Sequence, residues 1–310
     1  GVGSPRGDLN PGADLAARAG TAGGARSHDV AQITFGYGLP TGALGWQAGL
    51  ERLGATVIPA STGASRRQLR VMRDYHTTVL VGSPFYALRL AEVARETGAD
   101  LSELDLRIAL MGGERWSEDV RFEIERRLGV EARDTYGVSE VMAPGLSFEC
   151  PARDGLHVSE DHFLVEVVDP VSGHLVPEGV EGELVFTSLS KEAVPVVRYR
   201  TGDLAALTTQ RCACGRTLAR HTRVQRRCDD MLKVRGVNVS PARVEAVLAA
   251  VEGGAPRFQI ILESRKAVSY THLRAHETVL DLVCRLLLEK KKHKHYTQRA
   301  MCRQRHTVWT

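Results

Sequence analysis

From Val30 to Gly137 the chain repeats one unit: a short apolar run, a brief connection, and a stretch bracketed by helix-start and helix-stop residues. AQITF at 31–35 reads as a buried strand, and residues 45–53 as a helix. ATVIPA at 55–60 is the next strand, and Ser65 is placed to cap a helix running to about Tyr75. TTVLVG at 77–82 is the third strand. Ser83 as N-cap and Pro84 at the first helical position open another helix, which ends near Gly98. RIALMGG at 107–113 is the fourth strand. Ser117 then starts the helix EDVRFEIERRLG, with Gly129 as its stop. VEARDTYG at 130–137 is a fifth extended segment. Such alternation predicts an α/β fold: a parallel sheet flanked by helices. Ligands collect at the carboxyl ends of such strands. The loops GGER at 112–115 and YGVSE at 136–140 are therefore the candidate site loops.

After about Leu146 the pattern changes. FLVEVVD, GELVFTS, VVRYR and LAALT are short strands separated by turn residues, which predicts a β-rich, barrel-like subdomain. A polar connector at 226–238 leads to PARVEAVLAAV, the first helix of a small α+β C-terminal domain. The expected organisation is a poorly patterned segment at 1–28, an α/β subdomain at 29–146, a β-rich subdomain at 147–225, and the hinge and start of a C-terminal domain at 226–265. Residues 266–310 read as a non-native or disordered tail. GTAGGARS at 20–27 reads as a loop or the end of a surface helix.

Charge needs the same division. The formal +4 comes from residues 270–310, which hold nine Lys or Arg against three Asp or Glu. A basic stretch confined to the tail gives no nucleic-acid footprint on the folded body. No apolar run reaches the ~18 residues of a membrane span, and no secretory signal stands at the start. Six cysteines in 310 residues do not make a disulfide scaffold. The expected compartment is the reducing cytoplasm. Oligomeric state is not legible.

Four stretches carry a resemblance: FGYGLPTGALG at 35–45, TYGVSEVMAPG at 135–145, VPVVRYRTGDL at 194–204 and DDMLKVRGVNVSPARVE at 229–245. Their order and spacing resemble phenylacetate–CoA ligases of the adenylate-forming superfamily, over about residues 20–262. The resemblance implies an AMP-forming ligase that uses ATP, Mg²⁺ and CoA. An aryl acid, phenylacetate first, is activated to an acyl-adenylate and passed to CoA. No nucleic acid and no membrane enters that reaction.

It also implies residue roles. Glu140 would hold Mg²⁺ on the phosphates, since Mg²⁺ is usually bound by one or two carboxylates, phosphate oxygens and waters. Tyr136 offers a flat face near adenine, Gly137 lets the backbone approach, and Ser139 can bond phosphate. Asp203 would accept the ribose hydroxyls, because a carboxylate is acceptor-only with two oxygens. Gly113 and Glu114 match the loop on the adenine side, and Arg227 a residue that reaches ribose or phosphate. Asp229 is the implied hinge between half-reactions, and Lys233 the candidate catalytic cation of that motif. Tyr37, Gly38 and Trp46 fall near the acyl pocket. The central expectation is geometric: Glu140, Asp203 and Arg227 must converge.

Two further readings complete the picture. Cys212 and Cys214 sit in one turn, and Cys150 and His157 flank another. They either close a tetrahedral structural zinc site or remain reduced, partly buried cysteines. The phosphate loop and adenylation lysine of the resembled family find no match here, so this 310-residue chain is expected to be inactive as it stands. The alternatives are a zinc-containing binding module and an inactive scaffold derived from such a ligase.

Overall fold

The computed structural model describes residues 5–38 and 41–228, with the backbone of a few short strands beyond them. Gly1–Asp229 form one compact unit and Asp230–Thr310 a second. Asp229, the side chain of Lys233, the helix expected at 241–251 and nearly all of the tail at 266–310 lie outside the described residues.

Helix α1 (Arg6–Gly23) comes first, with Gly24 closing it at φ +112°. It buries Leu15, Ala16, Ala19, Gly20, Ala22 and Gly23. This corrects the reading of 20–27: those residues end a core helix, not a surface one. Pro11 and the glycines within the helix are poor helix formers, and no side chain caps its start, so the usual helix signals are missing. It packs by close approach. A Cβ on Gly49 would collide with Ala16, and one on Gly145 would meet Leu15 at 2.7 Å.

The alternating region follows as β1 (Val30–Ile33), α2 (Gly42–Leu53), β2 (Thr56–Ile58), α3 (Ser65–Asp74), β3 (Val79–Gly82), α4 (Pro84–Thr97), β4 (Ile108–Gly112), α5 (Glu118–Leu128) and β5 (Glu131–Val138). The five strands pair in parallel in the order β2-β1-β3-β4-β5. Helical crossovers of this kind join parallel strands. Ser117 Oγ accepts the Val120 N–H at 3.3 Å, the expected cap. Ser65 is not a cap: Ala64, at φ +47°, holds that position and Ser65 is the first helical residue.

At β5 the sheet changes character without ending. β6 (Met142–Glu149) runs antiparallel to it, and the path continues through β7 (Leu156–Val158), β11 (Arg220–His221), β10 (Tyr199–Thr208), β9 (Glu181–Ser188) and β8 (Phe163–Val168). The segments VVRYR and LAALT, expected as two strands, merge into β10. One core lies under the parallel strands, around Trp46, Leu50, Ile33 and Leu110. The other fills the β-rich half, around Phe163, Leu184 and Phe186. Helix α1 contributes to both, Ala19 and Ala22 to the first and Leu15 to the second.

Candidate nucleotide site and a Cys/His cluster

The site is built on an irregularity in β10. Between Arg200 and Leu204 its register on β9 shifts. Gly202 turns there with φ +76°, a conformation that costs glycine least. Glu183 of β9 holds the distortion: it accepts the Gly202 N–H at 2.9 Å and Arg200 Nε at 2.7 Å. Asp203 follows directly, 6% exposed. It sits within the strand, where a bulge re-aims a side chain.

Two partners fix the Asp203 carboxylate. Tyr136 Oη donates to Oδ2 at 2.8 Å, and Arg227 Nη1 to Oδ1 at 2.7 Å. Arg227 belongs to β12 (Arg226–Arg227), which pairs with β10 so that Arg227 lies directly opposite Asp203. Tyr136 is braced by Phe186, its ring stacked at 6.2 Å, and by His221, edge-on at 5.4 Å. Burial and then the Asp203 charge push the Tyr136 phenol well above its ordinary range, so it stays a donor. Burial also takes His221 down to about 4, with only the Thr222 carbonyl opposing.

Glu140 is exposed in the turn between β5 and β6, with Ser139 half-buried beside it. YGVSE is therefore not all loop. Tyr136, Gly137 and Val138 are the last residues of β5 itself. Lys191 Nζ donates to the Glu140 carbonyl at 3.0 Å. Lys191 is carried by a segment that Asp8 of α1 pins, accepting the N–H groups of Glu192 and Ala193 at 2.7 and 2.9 Å. Tyr199, half-buried in β10, has its phenol raised by burial first, then by the charge of Glu140, with Arg227 lowering it and Asp203 raising it again.

The other motif segments gather nearby. Gly113, at φ +77°, faces Phe35: a Cβ there would meet the ring at 3.4 Å. The Thr41 hydroxyl donates to the Ala143 carbonyl at 3.3 Å. Phe35 thus neighbours the GGER loop, and Thr41 the residues after YGVSE. Glu114 and Tyr37 are half-buried and Gly38 is exposed. Burial, helped by Glu51, pushes the Tyr37 phenol up to about 12, and its oxygen has no hydrogen-bond partner among the described residues. Trp46 is 2% exposed and lies within the core under the parallel strands. The roles of Glu183, His221, Tyr199 and Lys191 were missed. Tyr199 stands inside a quoted motif, but the other three become visible only through strand pairing and loop packing.

A second cluster lies in the β-rich half. The ligand atoms of Cys150, His157, Cys212 and Cys214 all fall within 4.8 Å of one another. Cys150 Sγ is 3.7 Å from Cys212 Sγ, and Cys214 Sγ is 3.4 Å from His157 Nε2. The first three residues are buried and Cys214 is half-buried. Burial drives the Cys150 thiol up to about 11. For Cys214 burial is outweighed by the Arg216 backbone and side chain and by the other two thiols, giving about 7.

Comparison with known proteins gives the family of the chain. The AMP-binding enzyme family model matches residues 18–190, and the chain belongs to that family. Within it, the chain is similar to phenylacetate-coenzyme A ligases. That of Thermus thermophilus is 45% identical over 274 residues, 88% of this chain and 62% of the relative. That of Pseudomonas putida is 43% identical over 262 residues, 84% of this chain and 59% of the relative. The chain thus spans about three fifths of these relatives' length. Among solved structures, 2-hydroxyisobutyryl-CoA ligase in complex with 2-HIB-AMP and CoA aligns with a TM-score of 0.83 at 29% identity, over 87% of this chain and 58% of that one. The resemblance read from the four motifs is borne out. Among the described residues no helix is long and apolar enough to cross a membrane.

Proposed function

We propose that the Asp203 cluster binds the nucleotide of an AMP-forming aryl-acid–CoA ligase, with phenylacetate as the acid and ATP and CoA as co-substrates. The observation that carries this is the chain Tyr136–Asp203–Arg227. A carboxylate offers about four lone-pair sites. Tyr136 and Arg227 occupy two and orient the group, leaving one on each oxygen for a ribose diol. Arg227 adds a positive charge beside the position of sugar and phosphate. Gly113, Glu114, Tyr136 and Gly137 form the adenine side, and Ser139 a phosphate contact. Tyr37 and Gly38 would line the acyl pocket, with Trp46 as packing in the core beneath.

The reaction has two transfers. The acid's carboxylate oxygen attacks the α-phosphate, the bond to the β-phosphate oxygen breaks, and pyrophosphate leaves. The CoA thiol then attacks the acyl carbon, and AMP leaves. Such chemistry needs alignment and charge neutralisation more than covalent help from the protein. Mg²⁺ would neutralise phosphate charge, and Glu140, exposed at the turn beside the cluster, fits as its carboxylate ligand. Lys191 holds the backbone of that turn. Asp229 as pivot and Lys233 as a cation complete the proposal, and such a reaction suits the cytoplasm.

Calorimetric titration with AMP tests the reading. The wild-type chain should bind, and Asp203→Ala should weaken binding by about 30-fold or more, as expected for losing two bonds to a charged acceptor. Undiminished binding by Asp203→Ala would overturn it.

A further inference from the structure

We infer that Cys150, His157, Cys212 and Cys214 bind one structural zinc ion. The claim is separate from the nucleotide reading and stands on the geometry of the cluster.

Local backbone prepares the ligands. The Cys150 carbonyl accepts the Arg153 N–H at 3.0 Å, and the Cys212 carbonyl accepts the Gly215 N–H at 3.0 Å. Each turn tightens through a left-handed residue, Arg153 at φ +55° and Gly215 at φ +86°. These folds of the chain place Cys150 and the Cys212–Cys214 pair on loops that meet. Pairing of β7 with β11 sets His157 opposite Arg220 and brings the two loops to one side of the sheet.

The spacing fits a tetrahedron. With Zn–S of ~2.3 Å and Zn–N of ~2.0 Å, ligand atoms at tetrahedral angles lie about 3.8 Å apart for two sulfurs and about 3.5 Å for sulfur and nitrogen. The observed separations are 3.7 and 3.4 Å. A disulfide would need the sulfurs at ~2.0 Å, and all three cysteines are free. The donor set is as informative as the distances. Three thiolates and one imidazole are soft ligands that favour zinc over magnesium or calcium. All four positions come from protein, which marks a closed structural site and not a catalytic one. Three thiolates and Zn²⁺ leave one net negative charge, and Arg216 lies beside Cys214 to balance it.

The ion would tie the end of β6 and strand β7 to the loop between β10 and β11. β11 carries His221, which braces Tyr136, and β10 carries Asp203. Zinc therefore holds the strands behind the nucleotide cluster without touching it.

The test is metal analysis of the purified wild-type chain, with X-ray absorption at the zinc edge. About one zinc per chain is expected, since structural sites fill stoichiometrically, with an inner shell of three sulfurs and one nitrogen. Cys212→Ser should lower the zinc content at least several-fold. Zinc below about 0.2 per chain, a shell of oxygens, or unchanged metal in Cys212→Ser would each overturn the inference. The wild-type spectrum decides even where the variant fails to fold. AMP binding measured on the same samples separates the two readings. Zinc without AMP binding leaves this site standing and removes the nucleotide proposal, and AMP binding without zinc does the reverse.

Discussion

The nucleotide cluster and the Cys/His cluster hang on the same strands, yet they are held in opposite ways. The first is built from charged and phenolic groups on β5, β10 and β12, each bonded to the next and partly open. Its carboxylate keeps unused acceptor sites, which suits a ligand that comes and goes. The second is closed. Its four donors come from two loops and one strand, they face each other, and three of them are buried. Soft donors facing inward have nothing to offer a passing substrate. The difference teaches that shared strands need not mean shared work: one cluster should govern binding, the other stability.

Stripping zinc with a chelator probes that division most strongly. Loss of an ion present at 1,000 times its dissociation constant removes about 4 kcal/mol, or roughly 10 °C in Tm for a unit of this size. The division predicts that AMP affinity of the still-folded chain changes far less than this. A parallel collapse of AMP affinity at temperatures where the fold persists would merge the two clusters into one.

Acid should weaken the chain from the nucleotide side. His221 is fully enclosed, and its folded value of about 4 lies below the ordinary 6.5. The unfolded state therefore takes up a proton that the folded state refuses. Stability is fully present above pH 6.5 and is lost as pH falls toward 4, by up to about 3 kcal/mol. His221→Phe keeps a ring against Tyr136 and should flatten that part of the profile in denaturant titrations. An unchanged slope between pH 6.5 and 4 would remove His221 as its source.

Glu183 sharpens the comparison further. Glu183→Ala frees the Gly202 N–H and Arg200, so the bulge that aims Asp203 relaxes. AMP affinity should fall by roughly 5- to 10-fold, the worth of about 1–1.4 kcal/mol, while zinc content stays at one per chain. Loss of zinc in this variant would show the strands to be less independent than argued. The smallest effect belongs to the outer face of α1. The pair Arg52–Asp14, at 2.6 Å, is largely exposed. Asp14→Asn should change stability by no more than ~0.5 kcal/mol and leave both clusters intact.

Much of this was legible in the residues, for physical reasons. The inner parallel strands β3 and β4 are buried throughout, so each reads as an apolar run, and Ser117 and Gly129 bracket a helix as their chemistry requires. Asp203, Tyr136 and Arg227 were named because their motifs keep order along the chain. What was not legible needs a third dimension. Helix α1 hides because Pro11 and its glycines read as helix breakers and no capping residue marks its start. The single strand β10 was split in two because Gly202 looks like a turn, and only its bond to Glu183 reveals a bulge. Trp46 reads as a pocket aromatic, yet the structure buries it in the core. The four metal-ligand candidates were picked out by residue type. Their meeting depends on β7 lying beside β11, which sequence spacing does not state.

The central claim is that Tyr136, Asp203 and Arg227 grip one nucleotide. A crystal structure of the chain soaked with AMP tests it most directly. The ribose hydroxyls should lie within hydrogen-bond distance of the Asp203 carboxylate, with Arg227 beside sugar or phosphate. AMP bound elsewhere on the chain, with Asp203 still closed on Tyr136 and Arg227 alone, would contradict it.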